Sequence, residues 1–248
     1  MGAGIIAPRG KERVTRRGTL WFGWTLALLA IAGFVRLGVW QYGRMQEKQA
    51  LLAQVDRLMR DRQPVALDGQ LPAELAWVEG DATLDARTFL LDNQLREGQP
   101  GVHVYCLART QGGARLVDLG WAPMRPDRTV PQDVACPAGP LHVRGLLLAP
   151  PSTGIRMGPS MQQIEPSRWL MTRVDADAIA RALGMPLPAR VIRLDPALKV
   201  GYQRDLDVLP NTLPPERHLG YAVQWFALAL AVLVTALVLT FRKKTPRP

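Results

Sequence analysis

Histidine and cysteine are scarce, three and two residues in a chain of 248. His103, His142 and His218 lie far apart, with no chelating spacing. No G-x-S-x-G elbow, no G-x-x-x-x-G-K loop and no H-E-x-x-H pair occurs. Carboxylates are plentiful, but none forms a recognisable acid–base pair. Met157 and Met161 in "RMGPSMQQ" have the soft thioethers that suit Cu(I). They lack the density and the nearby histidine of such motifs, and read as loop methionines covering a sheet. There is no internal repeat and no low-complexity tract. These absences point away from an enzyme.

Charge is missing from two long stretches. From Leu219 to Phe241 no residue is charged, and roughly 20 apolar residues suffice to cross a hydrocarbon core. Leu20 to Trp40 carries one charge, Arg36. That stretch is longer than a signal-peptide core and no small-x-small cleavage site follows it, so it reads as retained. Arg9, Lys11, Arg13, Arg16 and Arg17 precede the first span, and Arg242, Lys243, Lys244 and Arg247 follow the second. Glu12 is the one acid in these tails, which hold most of the formal net charge of +10. Basic tails stay on the cytoplasmic side. The segments expected are a cytoplasmic tail over 1–19, a transmembrane helix over 20–40, an extracytoplasmic domain over 41–218, a second transmembrane helix over 219–241 and a cytoplasmic tail over 242–248. The high pI is then a topology signal. The nearly neutral middle gives no support for nucleic-acid binding, and the lipid bilayer is the first partner implied.

The outer segment is long enough for one domain with its own core. Helical period continues past the first span through Leu51, Val55 and Leu58 to Arg62, where Pro64 disfavours further helix. This predicts a helical stalk. Six runs read as strands: "AWVEGDAT", "RTFLLDN", "VHVYCLART", "ARLVDLGW", "LHVRGLLL" and "ARVIRLD". Gly112 and Gly113 predict a hairpin between the third and fourth. "DADAIARALG" predicts a short helix stopped by Gly184. "APMRPDRTVPQDVACPAGP" and "APPSTGIRMGPSMQQIEPS" read as long loops. The fold class expected is an α+β membrane protein, with two transmembrane helices flanking one antiparallel β-sheet or barrel-like domain that carries one or two helices. Cys106 and Cys136 both fall in this segment. An oxidising compartment would let them pair, but nothing in the sequence sets their distance, and two separate buried thiols are expected.

Polar and aromatic residues gather where each span meets the outer face. His218, Tyr221 and Trp225 fall at i, i+3 and i+7 of one helix face. Gly220 and Gln224 mark an adjoining strip. Arg36, Trp40 and Arg44 recur every four residues in the first helix, flanked by Gln41 and Lys48. Interfacial anchoring and snorkelling account for Trp40, Tyr221, Trp225 and Arg44. They account less well for Gln41, Gln224 and His218. Arg36 lies about one turn inside Trp40, and an intramembrane charge is a functional signal by default. Imidazole ligates iron, aromatic planes pack on a macrocycle and guanidinium pairs with carboxylates, so the group would suit a flat, anionic, iron-bearing ligand. An interface belt or a helix-packing contact is the competing reading.

Three motifs carry a family resemblance. "LGVWQYGRMQEKQALLA" resembles a pattern of Gly, Trp-Gln, Arg and Lys after a first span, here Gly38, Trp40, Gln41, Arg44 and Lys48. "RHLGYAVQWFALA" resembles a His-Leu-x-Tyr-Ala-x-x-Trp-Phe entry to a second span. "GWAP", Gly120 to Pro123, resembles a central Gly-Trp-Val-Pro turn. In this order they resemble the surfeit locus protein 1 family of cytochrome c oxidase assembly factors. Leu119 stands where that family usually has Arg, and Gln224 where it often has Thr. The resemblance implies a non-enzymatic factor of the bacterial cell inner membrane, with a periplasmic central domain, that assists heme a insertion into the oxidase's catalytic subunit. It implies heme a as the bound group, His218 as the metal ligand, and cytochrome c oxidase subunit I and heme A synthase as partners. A scaffold that stabilises an assembly intermediate without binding heme, and copper delivery through the methionine loop, remain alternatives.

Overall fold

The computed structural model describes residues 16–61, 63–127, 129–151, 158–208 and 212–242, without the side chains of 16 and 17. Arg9, Lys11, Arg13, the side chains of Arg16 and Arg17, the basic residues from Lys243 to Arg247, the end of the stalk at Arg62, and Met157 therefore lie outside what is described. The chain forms two compact units, Met1–Leu51 with Thr212–Pro248, and Leu52–Asn211.

The first unit contains most of helix α1 (Arg16–Asp61) and all of α3 (Pro215–Phe241). Both are long and apolar enough to cross a membrane. Pro215 opens α3 at a position where its missing N–H is not needed. Partners along α1 ascend from Trp24 to Lys48 while those on α3 and its approach descend from Thr240 to Leu213, so the helices run antiparallel. A run of buried and half-buried positions along α1 falls at 24, 27, 31, 34, 38, 41, 45 and 48, with 30 and 43 beside it, and one along α3 at 215, 218, 222, 225, 229, 232 and 236, continuing to 240. These alternating steps of three and four are the seam of a paired helix.

The second unit is built on an eight-stranded sheet. Its strands are β1 (Val65–Ala66), β2 (Ala76–Arg96), β3 (Gln99–Thr110), β4 (Gly113–Pro123), β5 (Gly139–Leu148), β6 (Met161–Glu165), β7 (Arg168–Met171) and β8 (Val191–Leu194). Helix α2 (Ala176–Leu183) lies between β7 and β8. Asp175 caps its start by accepting the Ala178 N–H, and Gly184 ends it in the left-handed conformation, as the sequence predicts.

The sheet is mixed, not antiparallel as expected. β1–β2, β2–β7 and β4–β8 are parallel pairs, the rest antiparallel. Period-2 alternation marks a strand but carries no direction for its neighbour. The runs "AWVEGDAT" and "RTFLLDN" are one strand of 21 residues. Its first part pairs with β5 and its second with β3, with a register shift between Leu84 and Thr88. Asp85 holds this corner through ion pairs to Arg87 and Arg109. Because β2 pairs with both β3 and β5, the ladder β2–β3–β4–β8–β5 returns to β2. The segment expected as a long loop before Arg168 contains β6, which hairpins onto β7.

Alternate residues of the strands feed two cores. Val78, Leu90, Val104, Val117, Val143 and Ile192 enter one. Trp77, Phe89, Tyr105, Leu116, Leu146 and Val191 enter the other, where Val55 of the α1 stalk and Ile179 of α2 cover the sheet. Phe89 and Trp169 stack there at 4.9 Å.

The cysteines are paired, which overturns the expectation of two separate thiols. Cys106 in β3 and Cys136 in the segment before β5 form a disulfide, with their Cα atoms 5.7 Å apart. The segment is laid over the sheet by polar contacts that no local pattern reveals. The Cys136 N–H donates to Thr88 Oγ1, the Ala135 N–H donates to the Tyr202 hydroxyl, and Arg168 donates to the carbonyls of Pro131 and Val134.

Candidate functional site

The helix pair of the first unit brings two of the sequence-selected residues into direct contact. His218 Nδ1 lies 2.7 Å from Gln41 Oε1. A carboxamide oxygen only accepts, so Nδ1 carries the proton and the lone pair is left on Nε2. His218 is 8% exposed, a polar side chain set into the seam between Pro215 and Ala222. Gln41 thus has a specific task, which interfacial anchoring did not supply.

Glycine makes this approach possible. A Cβ on Gly38 would lie 2.7 Å from the ring of Phe226, closer than real Cβ contacts come. One turn earlier in α1, Phe34 and Trp225 stack at 5.6 Å. Nearer the start of α1, Trp24 Nε1 donates to Thr240 Oγ1. In the opposite direction Lys48 donates to the Leu213 carbonyl, and Arg44 forms an exposed ion pair with Glu47 at 2.6 Å.

Of the other selected residues, Trp40, Tyr221, Arg36 and Trp225 do not converge on His218. Trp40 is 55% exposed, and Tyr221 and Arg36 are exposed as well. Trp225 is half-buried with its ring engaged by Phe34. The i, i+3, i+7 face therefore splits: 218 and 225 lie in the seam and 221 outside it. Sequence reasoning misses Phe34 and Phe226, which stand among apolar neighbours. The one available signal is the heptad spacing of Phe34, Gly38, Gln41 and Met45.

The central Gly-Trp motif is a structural joint. Gly120 has φ of 109°, and a Cβ there would lie 2.7 Å from the Gln203 carbonyl. Trp121 donates from its backbone N–H to Gln203 and from Nε1 to the Gln94 carbonyl. Beside it, buried Asp118 accepts from the Gly120 N–H and meets His103 Nδ1 at 3.1 Å and Arg193 Nε at 3.4 Å. Burial alone would raise the Asp118 pKa. His103, Arg193 and the Gly120 N–H outweigh it and hold the carboxyl below its ordinary value. His142 is engaged elsewhere, by Glu79 and Asp81 on the exposed side of β2.

The sequence model of the SURF1 family matches residues 28–230. The chain belongs to the SURF1 family. That family is generally linked to cytochrome c oxidase assembly. The match takes in the His218–Gln41 pair, Gly38 and the Gly120–Pro123 turn, so the sheet unit of this SURF1-family chain and the neighbouring parts of both long helices fall inside it. No curated protein is significantly similar to the sequence.

Proposed function

We propose that the protein is a non-enzymatic inner-membrane assembly factor that holds heme a through His218 while the catalytic subunit of cytochrome c oxidase matures. Family membership supports the oxidase, and the His218–Gln41 hydrogen bond supports the cargo. Heme a supplies an iron that takes an imidazole nitrogen and propionates that seek cations. The residues present fit such a group in three respects. Gln41 fixes the tautomer that leaves Nε2 basic, as partners of metal-ligating histidines do. Arg36 and Arg44 supply guanidiniums on the same helix as Gln41. Trp40, beside Gln41 in the sequence, and Tyr221, three residues after His218, offer exposed aromatic surface. In this reading both termini are cytoplasmic, the sheet unit is periplasmic, subunit I receives the cargo and heme A synthase supplies it.

A second reading is favoured by one specific observation. His218 is buried in the seam and bonded to Gln41, which is also how a polar helix-packing contact looks. The protein would then be a scaffold that stabilises an oxidase intermediate without binding heme.

Absorption spectra of the detergent-purified protein from cells that make heme a separate the two. Stoichiometric heme in the wild type, lost in His218→Ala and weakened in Gln41→Leu, carries the heme reading. His218→Ala should retain membrane insertion and lose no more than about 1–2 kcal/mol of stability. Heme content and spectrum unchanged in His218→Ala would show the ligand assignment to be wrong. A colourless protein that co-purifies with subunit I carries the scaffold reading.

A further inference from the structure

A cleft of about 590 Å³ opens on the sheet unit, lined by none of the residues of the candidate site above. Asp68 in the turn after β1, Gly112 in the β3–β4 hairpin, Arg115 of β4, Leu147 of β5, and Pro188 and Arg190 before β8 line it. Its walls are in firm contact, since a Cβ on Gly112 would lie 2.2 Å from the Asp68 carbonyl oxygen.

The two arginines are not satisfied. Arg115 is only 9% exposed, yet its Nε finds no hydrogen-bond partner among the described residues. Its Nη1 donates to the adjacent Ala114 carbonyl, a neutral acceptor. Nη1 of Arg190 is likewise buried and unpartnered. Among the described residues neither arginine forms an ion pair, and neither does Asp68, the one acid at the cleft. Other buried guanidiniums in this unit have an anion: Arg193 pairs with Asp118, and Arg168, although its Nε also lacks a partner, pairs with Glu165. A guanidinium does not deprotonate in a protein, and burying one without an anion is strongly unfavourable. Burial indeed pushes the Arg115 pKa down.

We propose that this cleft is an anion site, in which Arg115 and Arg190 together bind a phosphate group, either a free phosphate or a lipid headgroup. The two guanidiniums come from separate elements, and with Arg115 Nε and Arg190 Nη1 enclosed and unpartnered, neither charge is compensated from inside the protein. A phosphate presents several acceptor oxygens at once, so it can meet both charges from the cleft. A carboxylate, with two oxygens in one plane, suits a single fork. The proposal does not depend on heme or on the helix pair.

The test uses the full-length protein in phosphatidylcholine nanodiscs, melted with and without inorganic phosphate at constant ionic strength, and again in nanodiscs containing phosphatidylglycerol. A bound anion raises the wild-type Tm by linkage. Arg190→Gln, at the more exposed of the two positions, loses that rise, with affinity weakened roughly tenfold or more. Arg115→Gln keeps or raises its phosphate-free Tm, being relieved of an unpaired charge, and also loses the response. A response to inorganic phosphate in phosphatidylcholine assigns a free anion. A response that requires phosphatidylglycerol assigns a headgroup. A Tm that neither anion moves, or that moves equally in wild type and Arg190→Gln, overturns the site. So does a wild type that fails to respond while Asp68→Asn responds, because Asp68 is then the resident counter-ion.

Discussion

At Gly38 the absence of one methyl group decides how closely two helices meet. With the ring of Phe226 over its Cα, the helix faces come near enough for Gln41 to reach His218. The sheet unit has its own decisive residue in Asp118. Its depressed pKa makes stability depend on pH in a fixed direction. The contribution is present above the unfolded carboxyl pKa of about 3.9 and is lost as pH falls through the lower folded value. Wild-type melting temperature should therefore decline in acid. Asp118→Asn should lose roughly 3–5 kcal/mol at neutral pH, because His103 and Arg193 are left without their anion. Its further decline below about pH 4 should be shallower than that of the wild type. Melts across pH on the purified protein check this, and parallel acid limbs would remove Asp118 as a source of the acid sensitivity.

At the scale of elements, the sheet unit depends on a segment with neither helix nor strand among its described residues. Residues 124–138 connect β4 to β5, and Cys136 ties them to β3. The bridge spans 30 residues, and a disulfide closing such a loop typically contributes roughly 2–4 kcal/mol. Replacing both cysteines with serine should destabilise the protein by that amount under oxidising conditions. Reductant should have the same effect on the wild type and none on the double variant. Equal stability of the two under oxidising conditions would show that Thr88, Tyr202 and Arg168 hold the segment alone. β2 makes a related point. Asp85 and Ala86 look like a break between two strands, yet the ion pairs of Asp85 let the backbone turn a corner without leaving the ladder.

For the whole molecule, the topology proposed above rests on the two long apolar helices and the basic tails. If both termini are cytoplasmic, alkaline phosphatase fused after the C-terminus should be inactive, and fused at the Gly113 hairpin it should be active. The reverse pattern would invert the orientation and remove the sheet unit from the periplasm. A disulfide in the sheet unit fits the oxidising side of the membrane.

Much of this protein was legible from local pattern. The two apolar helices, the capped α2, the β3–β4 hairpin and most of the strands follow from hydropathy, caps and glycines, which act over a few residues. The His218 and Gln41 motifs were readable as unusual, since polar groups next to a bilayer need a reason. What the sequence left undecided was every relation between distant segments. Strand direction, the pairing of Cys106 with Cys136 and the His218–Gln41 bond join residues dozens to well over a hundred positions apart, and the union of two neighbouring runs into β2 depends on the distant strands that pair with it. Periodicity places a residue on a face, but packing chooses what that face meets. Only the tertiary structure shows that Gln41 orients His218, while Tyr221 and Trp40 stand clear of it.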